Sequence, residues 1–312
     1  MSRLTVLACA LAAASVTLLP TPAAAAPSDL ALATRWAPIH YQDTDSSDYD
    51  ADYLSRVDYD GDWNAVNNWE NQSADVNRLK GAVYYSVVET GTHWFLTYAL
   101  YHPRDWEDFP DPFEQFTHEN DMEGLLLTVR KDGSTYGAFE GMVTVAHSDF
   151  YSYTPAGSPF TSGGESVDGQ VVMQTYGGVA HPTTFQEAKG HGLYAKNAQH
   201  APDGDGVVYY PSGTAEVPSS GTDSSVGYQL VNMLDAGGLW ARRANTETYA
   251  APGTFRGDNG KDNAANTSWG WDDGNDGSVP RGSVATDPAL LVGTYFGGLG
   301  DFSRTYSRNS FR

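Results

Sequence analysis

Two neighbouring segments rich in aromatic and β-branched residues constrain the fold of this chain more than any other feature. Residues 82–89 read AVYYSVVE, and residues 92–101 read THWFLTYALY. Such side chains fit the pleated surface of a sheet, and the Thr90-Gly91 pair between the segments is a tight hairpin signal. Further segments of the same kind lie at 123–130, 138–146, 170–176, 183–188 and 207–210. The chain is therefore predicted to be all-β, a β-sandwich with long loops and one or two short helices.

Helical signals are sparse, in keeping with a chain that contains 33 Gly and 16 Pro residues. Residues 226–239 form the best candidate for an amphipathic helix, which Gly237-Gly238 would end. Strand signals become rare from about residue 250 onward. We predict a single β-sandwich domain over residues 26–312 with a loop-rich C-terminal extension, and the alternative is a division into two domains near residue 200.

The first 25 residues have the order that is typical of a secretory signal. Arg3 precedes an apolar stretch over 4–19, and small residues follow at 21–26. We predict that residues 1–25 are a signal peptide and that the protein is secreted to the extracellular space. Beyond residue 25 the sequence contains no apolar run long enough to span a membrane, so the remainder is predicted to be soluble.

Cysteine usage and net charge limit the kinds of functional site that the protein can contain. The single cysteine, Cys9, lies in the predicted signal, so the rest of the chain can form no disulfide or thiolate site. Any metal must be bound by oxygen and imidazole ligands. Acidic residues outnumber basic ones by 39 to 18, a formal net charge of -21, which disfavours binding to nucleic acid. The motifs of common serine hydrolases, nucleotide-binding loops and zinc proteases are absent from the sequence.

An imidazole and two carboxylates are clustered directly before the apolar segment 123–130. They belong to His118, Asp121 and Glu123. Residues two apart on a strand share a face, so both carboxylates should point the same way, with His118 folding back from the preceding loop. Carboxylates this close repel each other unless a cation or a proton intervenes. The cluster predicts a divalent metal site, and a solvated polar loop is the alternative.

Two further segments carry residues that could join this site. Pro103 is expected to end the strand that starts near residue 92, which places Asp105 on a loop near the strand end. His191 has a glycine on each side, which should leave its imidazole accessible. His191 is a candidate general acid or base because its ordinary pKa is near neutral, and Glu119 is a weaker candidate.

These segments together resemble two known families. In chain order they read Tyr-x-x-Tyr-x-Pro-Arg-Asp, His-x-x-Asp-x-Glu and Ala-Lys-Gly-His-Gly-x-Tyr. The order is similar to that of the necrosis- and ethylene-inducing-like proteins, which are secreted β-sandwich cytolysins, and of the vacuolar protein sorting sixty-two domain. The resemblance implies a central sandwich with a divalent metal at one end. It also implies the ligands Asp105, His118, Asp121 and Glu123, with His191 lining the same cavity.

The resemblance covers residues 84–194, about a third of the chain. The cytolysin signature reads Gly-His-Arg-His-Asp-Trp-Glu, and this sequence departs from it at several positions. Thr117 stands where the signature has Gly, Asn120 where it has its second His, and Met122 where it has Trp. The cysteine pair common in those toxins is also missing.

Three functional hypotheses follow from the sequence. The first is a secreted, metal-dependent protein of cytolysin-like type that recognises a glycan or membrane head group. The second is a secreted metal-dependent hydrolase of a polysaccharide, phosphodiester or lipid head group. The third is a metal with a purely structural role. Calcium or magnesium is the favoured metal, and manganese, iron and zinc are compatible with the ligands. The expected partner is a sugar or lipid head group, with peripheral membrane contact, no nucleic acid and a monomeric protein.

Overall fold

A computed structural model describes residue 1 and residues 26–113, 116–275 and 278–312 of the protein. The predicted signal at residues 1–25 therefore lies almost wholly outside the described residues. The strands are β1 (Ile39–Gln42), β2 (Ala82–Thr90), β3 (His93–Asp105), β4 (His118–Arg130), β5 (Ala138–Ala146), β6 (Asp149–Pro155), β7 (Thr161–Ser162), β8 (Val167–Val171), β9 (Met173–Tyr176), β10 (Val179–Gln186), β11 (Leu193–Ala195), β12 (Val207–Tyr210), β13 (Val226–Gly227), β14 (Gln229–Asn232), β15 (Tyr249–Ala251), β16 (Thr254–Phe255), β17 (Phe296–Gly297) and β18 (Tyr306–Arg308). The helices are α1 (Asp29–Trp36), α2 (Asn68–Gln72), α3 (Ser283–Thr286) and α4 (Pro288–Tyr295), with 3-10 turns at Tyr49–Asp52, Val76–Arg78 and Trp240–Arg242. Strands dominate this part of the chain, which confirms the predicted all-β class.

The larger sheet is built around the hairpin that the sequence predicts. Its strand order is β14-β2-β3-β4-β5-β6-β8, and β18 also pairs with β2. Strands β2 and β3 pair antiparallel up to Glu89 opposite Trp94, so the turn falls at the expected glycine. Nearly every residue of β3 and β4 is buried, which requires that both faces of this sheet are covered.

The smaller sheet covers one face of the larger one. Its order is β11-β10-β1-β12-β13, with β9 paired to β10. Leu193 and Tyr209 of this sheet belong to the same apolar core cluster as Leu125 and Val143 of the larger sheet. A single core between two sheets is the arrangement of a β-sandwich.

The chain beyond residue 250 covers the other face of the larger sheet. Thr97 of β3 donates a hydrogen bond to the Val284 carbonyl of α3 at 3.2 Å. The Trp271 indole donates to the Met122 carbonyl of β4 at 2.7 Å. These contacts bring the C-terminal segment against the start of β4, where the predicted metal ligands lie.

The prediction of a helix over 226–239 is wrong, because this segment contains strands β13 and β14 instead. Strand β14 runs parallel to β2, with Gln229 opposite Ala82 and Asn232 opposite Tyr85. The edge of β2 offers unpaired backbone groups to any neighbouring segment, and pairing with them outweighs a weak helical preference. No helix among the described residues has the length and apolar character needed to cross a membrane.

His40 should make folding sensitive to mild acid. It is buried on β1, where its imidazole contacts the hydroxyl of Thr184 at 3.0 Å and the amide oxygen of Gln42 at 3.3 Å. Burial lowers the pKa of His40 to about 4, although its amide partners oppose the shift. In the unfolded chain the pKa of His40 is about 6.5. Protons therefore bind preferentially to the unfolded state as the pH falls below that value.

We therefore expect His40 to remove about 3 kcal/mol of stability as the pH drops from 6.5 through 4. Urea unfolding of the wild type and His40→Gln between pH 7 and 4 measures this contribution as the difference between the two curves. The variant should be less stable at pH 7 but should lose less on acidification. Parallel curves would contradict the assignment.

Candidate functional site

An open cleft of about 710 Å³ lies where the end of β3 meets the start of β4. One wall carries Asp105, His118, Asp121 and Glu123. The opposite wall comes from residues 261–274 of the C-terminal segment. All four side chains predicted as metal ligands therefore line one cleft.

The strand that leads to Asp105 does not end at Pro103, contrary to the sequence prediction. The β3–β4 ladder skips the Pro103–Asn120 pair and resumes at Arg104 opposite Glu119. Proline removes one backbone donor, but the residues on both sides keep their partners. The last pair places Asp105 directly opposite His118, so both side chains reach the same face. Asp105 is thus held by a strand and not by a loop.

Asn120 decides which side chains of β4 face the cleft. Its φ is +60°, in the left-handed region that asparagine tolerates better than most residues. Its side-chain oxygen accepts hydrogen bonds from the Tyr101 hydroxyl at 2.6 Å and from the Asn68 side chain at 2.8 Å. Its side-chain NH2 group donates to the backbone carbonyls of Ala65 and Arg256. The turned backbone breaks the two-residue alternation at this point. His118 therefore shares a face with Asp121 and Glu123.

The same break turns Glu119 away from the cleft. One carboxylate oxygen accepts the backbone N–H of Trp69 at 2.8 Å, and the other accepts that of Asp258 at 3.1 Å. Burial raises the pKa of Glu119 to about 7, although these two hydrogen bonds oppose the shift. The carboxylate joins helix α2 to the segment at Asp258, and the structure does not bring it to the cleft as a candidate acid or base.

Asp105 and His118 form a pair inside the cleft, with 3.2 Å between a carboxylate oxygen and Nε2. The Nδ1–H of His118 donates to the Asn120 carbonyl at 2.8 Å, which leaves Nε2 directed at Asp105. Burial disfavours the charged imidazole, but Asp105 and Asp121 outweigh it and raise the pKa of His118. Burial also raises the pKa of Asp105, against the effect of His118.

Glu123 lies deepest among the four residues, with 4 % of its surface exposed. One carboxylate oxygen accepts the backbone N–H of His147 at 2.5 Å. The other oxygen is buried and has no hydrogen-bond partner within the described part of the chain. Burial, followed by repulsion from Asp121, raises the pKa of Glu123 well above its ordinary value.

His191 stands behind the cleft wall, and the expectation that its imidazole is accessible is wrong. The side chain is completely buried. Its Nδ1 lies 3.0 Å from a carboxylate oxygen of Asp121, and its Nε2 lies 3.2 Å from one of Asp52. The ring also stacks on His102, with 3.8 Å between ring centroids. Burial opposes the charge, but the two aspartates raise the pKa of His191 to about 9, so the imidazole is cationic at neutral pH.

The glycines beside His191 leave space for the neighbouring side chains of His147 and Glu187, and they do not expose His191 itself. A Cβ at Gly190 would lie 3.0 Å from the His147 ring, and one at Gly192 would lie 2.7 Å from Glu187. The His147 imidazole lines the cleft, is half-exposed and contacts Glu187 at 3.3 Å. This contact is the main reason for the raised pKa of His147.

The donor set fits a hard divalent cation, although the ligands are not yet gathered around one point. Three carboxylates and one imidazole are ligands that calcium, magnesium and related cations accept. The Glu123 oxygen that has no partner among the described residues is an available ligand atom of this kind. Within the described ranges, no three His, Cys, Asp or Glu side chains already form a group that could hold a metal ion. Binding would require Asp105 and His118 to exchange their mutual contact for a metal.

Two residues of this region escaped the sequence analysis. Asp52 belongs to an acidic stretch over 43–52, and nothing in that stretch distinguishes it from a solvated loop. His147 follows β5 with a φ of +60° and has no neighbouring motif. Both reach the site through contacts distant in sequence, to His191 and Glu187 respectively, which no local pattern reveals.

Comparison with known proteins finds likeness in structure alone. No family model matches the chain, and no curated protein matches it in sequence. A solved structure described as a toxin fold for microbial attack and plant defense is 16% identical, covers 57% of this chain and 74% of its own, and gives a TM-score of 0.33. Necrosis and Ethylene inducing Protein 2, from the causal agent of cocoa's Witches Broom disease, is 14% identical, with coverage of 67% and 76% and a TM-score of 0.30. NLPPya in complex with mannosamine is 15% identical, with coverage of 59% and 77% and a TM-score of 0.31. These neighbours are necrosis-inducing toxin-fold proteins and do not support the predicted likeness to the vacuolar protein sorting domain.

Proposed function

We propose that the protein is a secreted protein of cytolysin-like type that recognises a glycan or membrane head group through a divalent cation. The cation would be held by Asp105, His118, Asp121 and Glu123. The observation that carries the proposal is that these four side chains line one open cleft. When bound, a cation of this kind supplies open coordination positions for the hydroxyl groups of a sugar.

The electrostatics of the cleft favour a cation. Burial raises the pKa of Asp105 and Glu123, and repulsion from the nearby Asp121 carboxylate raises both further. Without a counter-charge, such groups must take up protons or bear their mutual repulsion. The His191 imidazolium compensates Asp121 from behind, and Glu123 keeps one oxygen without a partner in the described residues. A cation would relieve the remaining repulsion.

Exposed phenylalanines between β3 and β4 support contact with a sugar or a membrane. Phe116 lines the cleft and is 55% exposed. Phe109 packs edge-on against it at 5.9 Å between ring centroids, and Phe113 is 79% exposed. Apolar rings beside a polar cleft suit an amphipathic target, because they can rest on a sugar face or enter a membrane interface.

Asp121→Asn is expected to weaken binding of the metal at least about tenfold, because it removes a charged ligand and the partner of His191. Titration calorimetry of the metal-free protein with calcium, magnesium, manganese and zinc measures the affinity. Asp132→Asn is the matched control, since Asp132 lies beyond the far end of β4 in an exposed turn. Its affinity should stay within about twofold of the wild type. Absence of binding by the wild type, or equal affinity in both variants, would refute the metal site.

A metal-dependent hydrolase is the second candidate, because the His147 imidazole reaches the cleft where a general acid or base would be needed. Vesicles that carry glycosylated lipid distinguish the two functions. Leakage or binding without a covalent product, lost in Asp121→Asn, supports recognition. Release of a product, lost in His147→Ala but with metal affinity retained, supports the hydrolase.

A further inference from the structure

A second cleft, of about 580 Å³, lies between the 3-10 turn Trp240–Arg242, the start of β15 and the residue pair Trp269 and Thr286. It is separate from the first cleft, although one stretch of chain contributes to both. Trp269 lines the second cleft and Trp271 lines the first. The two sites therefore have different walls and different chemistry.

Aromatic side chains form the apolar part of this second cleft. The indoles of Trp240 and Trp269 are nearly perpendicular, at 79°, with 5.3 Å between ring centroids. Tyr249 packs against Trp269 at 6.0 Å. Indole and phenol rings offer flat, weakly polar surfaces to the C–H face of a pyranose ring.

The second cleft is basic in a protein that is strongly acidic. Among the described residues that line it, none is acidic and Arg243 is the only charged one. The Arg243 guanidinium lies 4.4 Å from the Trp240 ring centroid and donates to the Trp240 carbonyl at 2.8 Å. Among the described residues no carboxylate forms an ion pair with Arg243. An anchored guanidinium with spare N–H groups is suited to a carboxylate.

Polar atoms beside the aromatic rings favour a ligand with hydroxyl groups. The hydroxyls of Thr246 and Thr286 belong to the lining residues. These hydroxyls can exchange hydrogen bonds with the hydroxyl groups of a sugar, whereas the ring of an aromatic acid offers them no partner.

We propose that this cleft binds a pyranose sugar that carries a carboxylate, a hexuronate unit of an acidic glycan. The sugar ring would pack against the indoles while its carboxylate pairs with Arg243. This site does not depend on the metal proposed for the first cleft, so either proposal can fail without the other.

Arg243→Gln tests the proposal, and Arg242→Gln is its matched control. Arg242 is the next residue, and its guanidinium also lies 4.4 Å from a tryptophan ring centroid, that of Trp63, but it does not line the cleft. Titration calorimetry with a galacturonate oligosaccharide should show affinity about tenfold weaker in Arg243→Gln and within about twofold of wild type in Arg242→Gln. Melting temperatures of both variants show whether each is folded.

Two comparison ligands and one further variant complete the experiment. The matched neutral galactose oligosaccharide should bind more weakly than the galacturonate one, and benzoate should bind more weakly than either. Asp121→Asn should bind galacturonate as the wild type does, because Asp121 belongs to the first cleft. Equal loss in the two arginine variants, equal affinity for the neutral oligosaccharide, or tighter binding of benzoate would each overturn the proposal.

Discussion

His191→Gln should lower the free energy of unfolding by about 3–5 kcal/mol at neutral pH. The imidazole of His191 is completely buried and lies between carboxylates of Asp52 and Asp121, at 3.2 Å and 3.0 Å. Glutamine cannot carry the positive charge, so the variant leaves two buried carboxylates without their counter-ion. Removing one partner of a buried ion pair is strongly destabilising because the remaining charge is still shielded from water.

Urea denaturation in the presence of a chelator measures this loss without any contribution from bound metal. His200→Gln is the matched control, because His200 is only partly buried and its imidazole contacts the uncharged side chain of Asn197. That control should lose less than about 1 kcal/mol. The double variant Asp52→Asn/His191→Gln should be more stable than His191→Gln alone, since one uncompensated carboxylate is gone. Equal losses in the two histidine variants would contradict the buried ion-pair assignment.

His191→Gln should also weaken metal binding about tenfold, because residues behind the ligands orient them and their loss has effects of this size. His191 would act as a positioning residue, through Asp121, and not by contact with the metal. Calorimetric titration at a temperature well below unfolding checks this expectation. Unchanged metal affinity would show that Asp121 keeps its orientation without the imidazole.

Gly124→Ala should destabilise the protein by about 3 kcal/mol, a drop in melting temperature of roughly 6–12 °C. A Cβ at this position of β4 would lie 2.1 Å from the Tyr98 carbonyl oxygen and 2.5 Å from the Trp271 ring. The carbonyl belongs to the paired strand β3 and cannot move without disturbing the ladder. The Trp271 ring would also be displaced from the wall of the first cleft, so we expect weaker ligand binding there as well.

Gly91→Ala is the matched control for this substitution. Gly91 lies in the β2–β3 hairpin turn, and a Cβ there would meet no atom within 4 Å. Its loss of stability should stay within about 0.5 kcal/mol. Differential scanning calorimetry of the two variants compares the effects directly. Similar melting temperatures for both would mean that the Trp271 wall can move aside at little cost.

The central strands β2, β3, β4 and β5 of the larger sheet were predictable because their signals are local. Residues 82–89 and 92–101 have the composition of strands, and Gly91 marks the turn between them. The segment 226–239 has a weak helical pattern, yet it forms β13 and β14. Its outcome depends on the exposed edge of β2, which lies far away in sequence, so no local signal could reveal it.

The residues of the candidate site were also predictable only in part from local sequence. The spacing of His118, Asp121 and Glu123 indicated a shared site, and these three line one cleft with Asp105. The alternation rule alone would also place Glu119 on their face. Asn120 overrides that rule through its left-handed backbone, and its side chain is held by two hydrogen bonds that it accepts and two that it donates.

The sequence by itself determined the all-β class, the central hairpin and the identity of the acidic and imidazole groups at the start of β4. These properties depend on residue type and on spacings of a few positions, where backbone geometry leaves few choices. The tertiary structure alone decided that Glu119 turns away, that His191 becomes a buried cation between Asp52 and Asp121, and that Trp271 forms the opposite wall. Those outcomes depend on charges and surfaces from distant parts of the chain. The interactions between them form only when the folded chain brings these parts into contact.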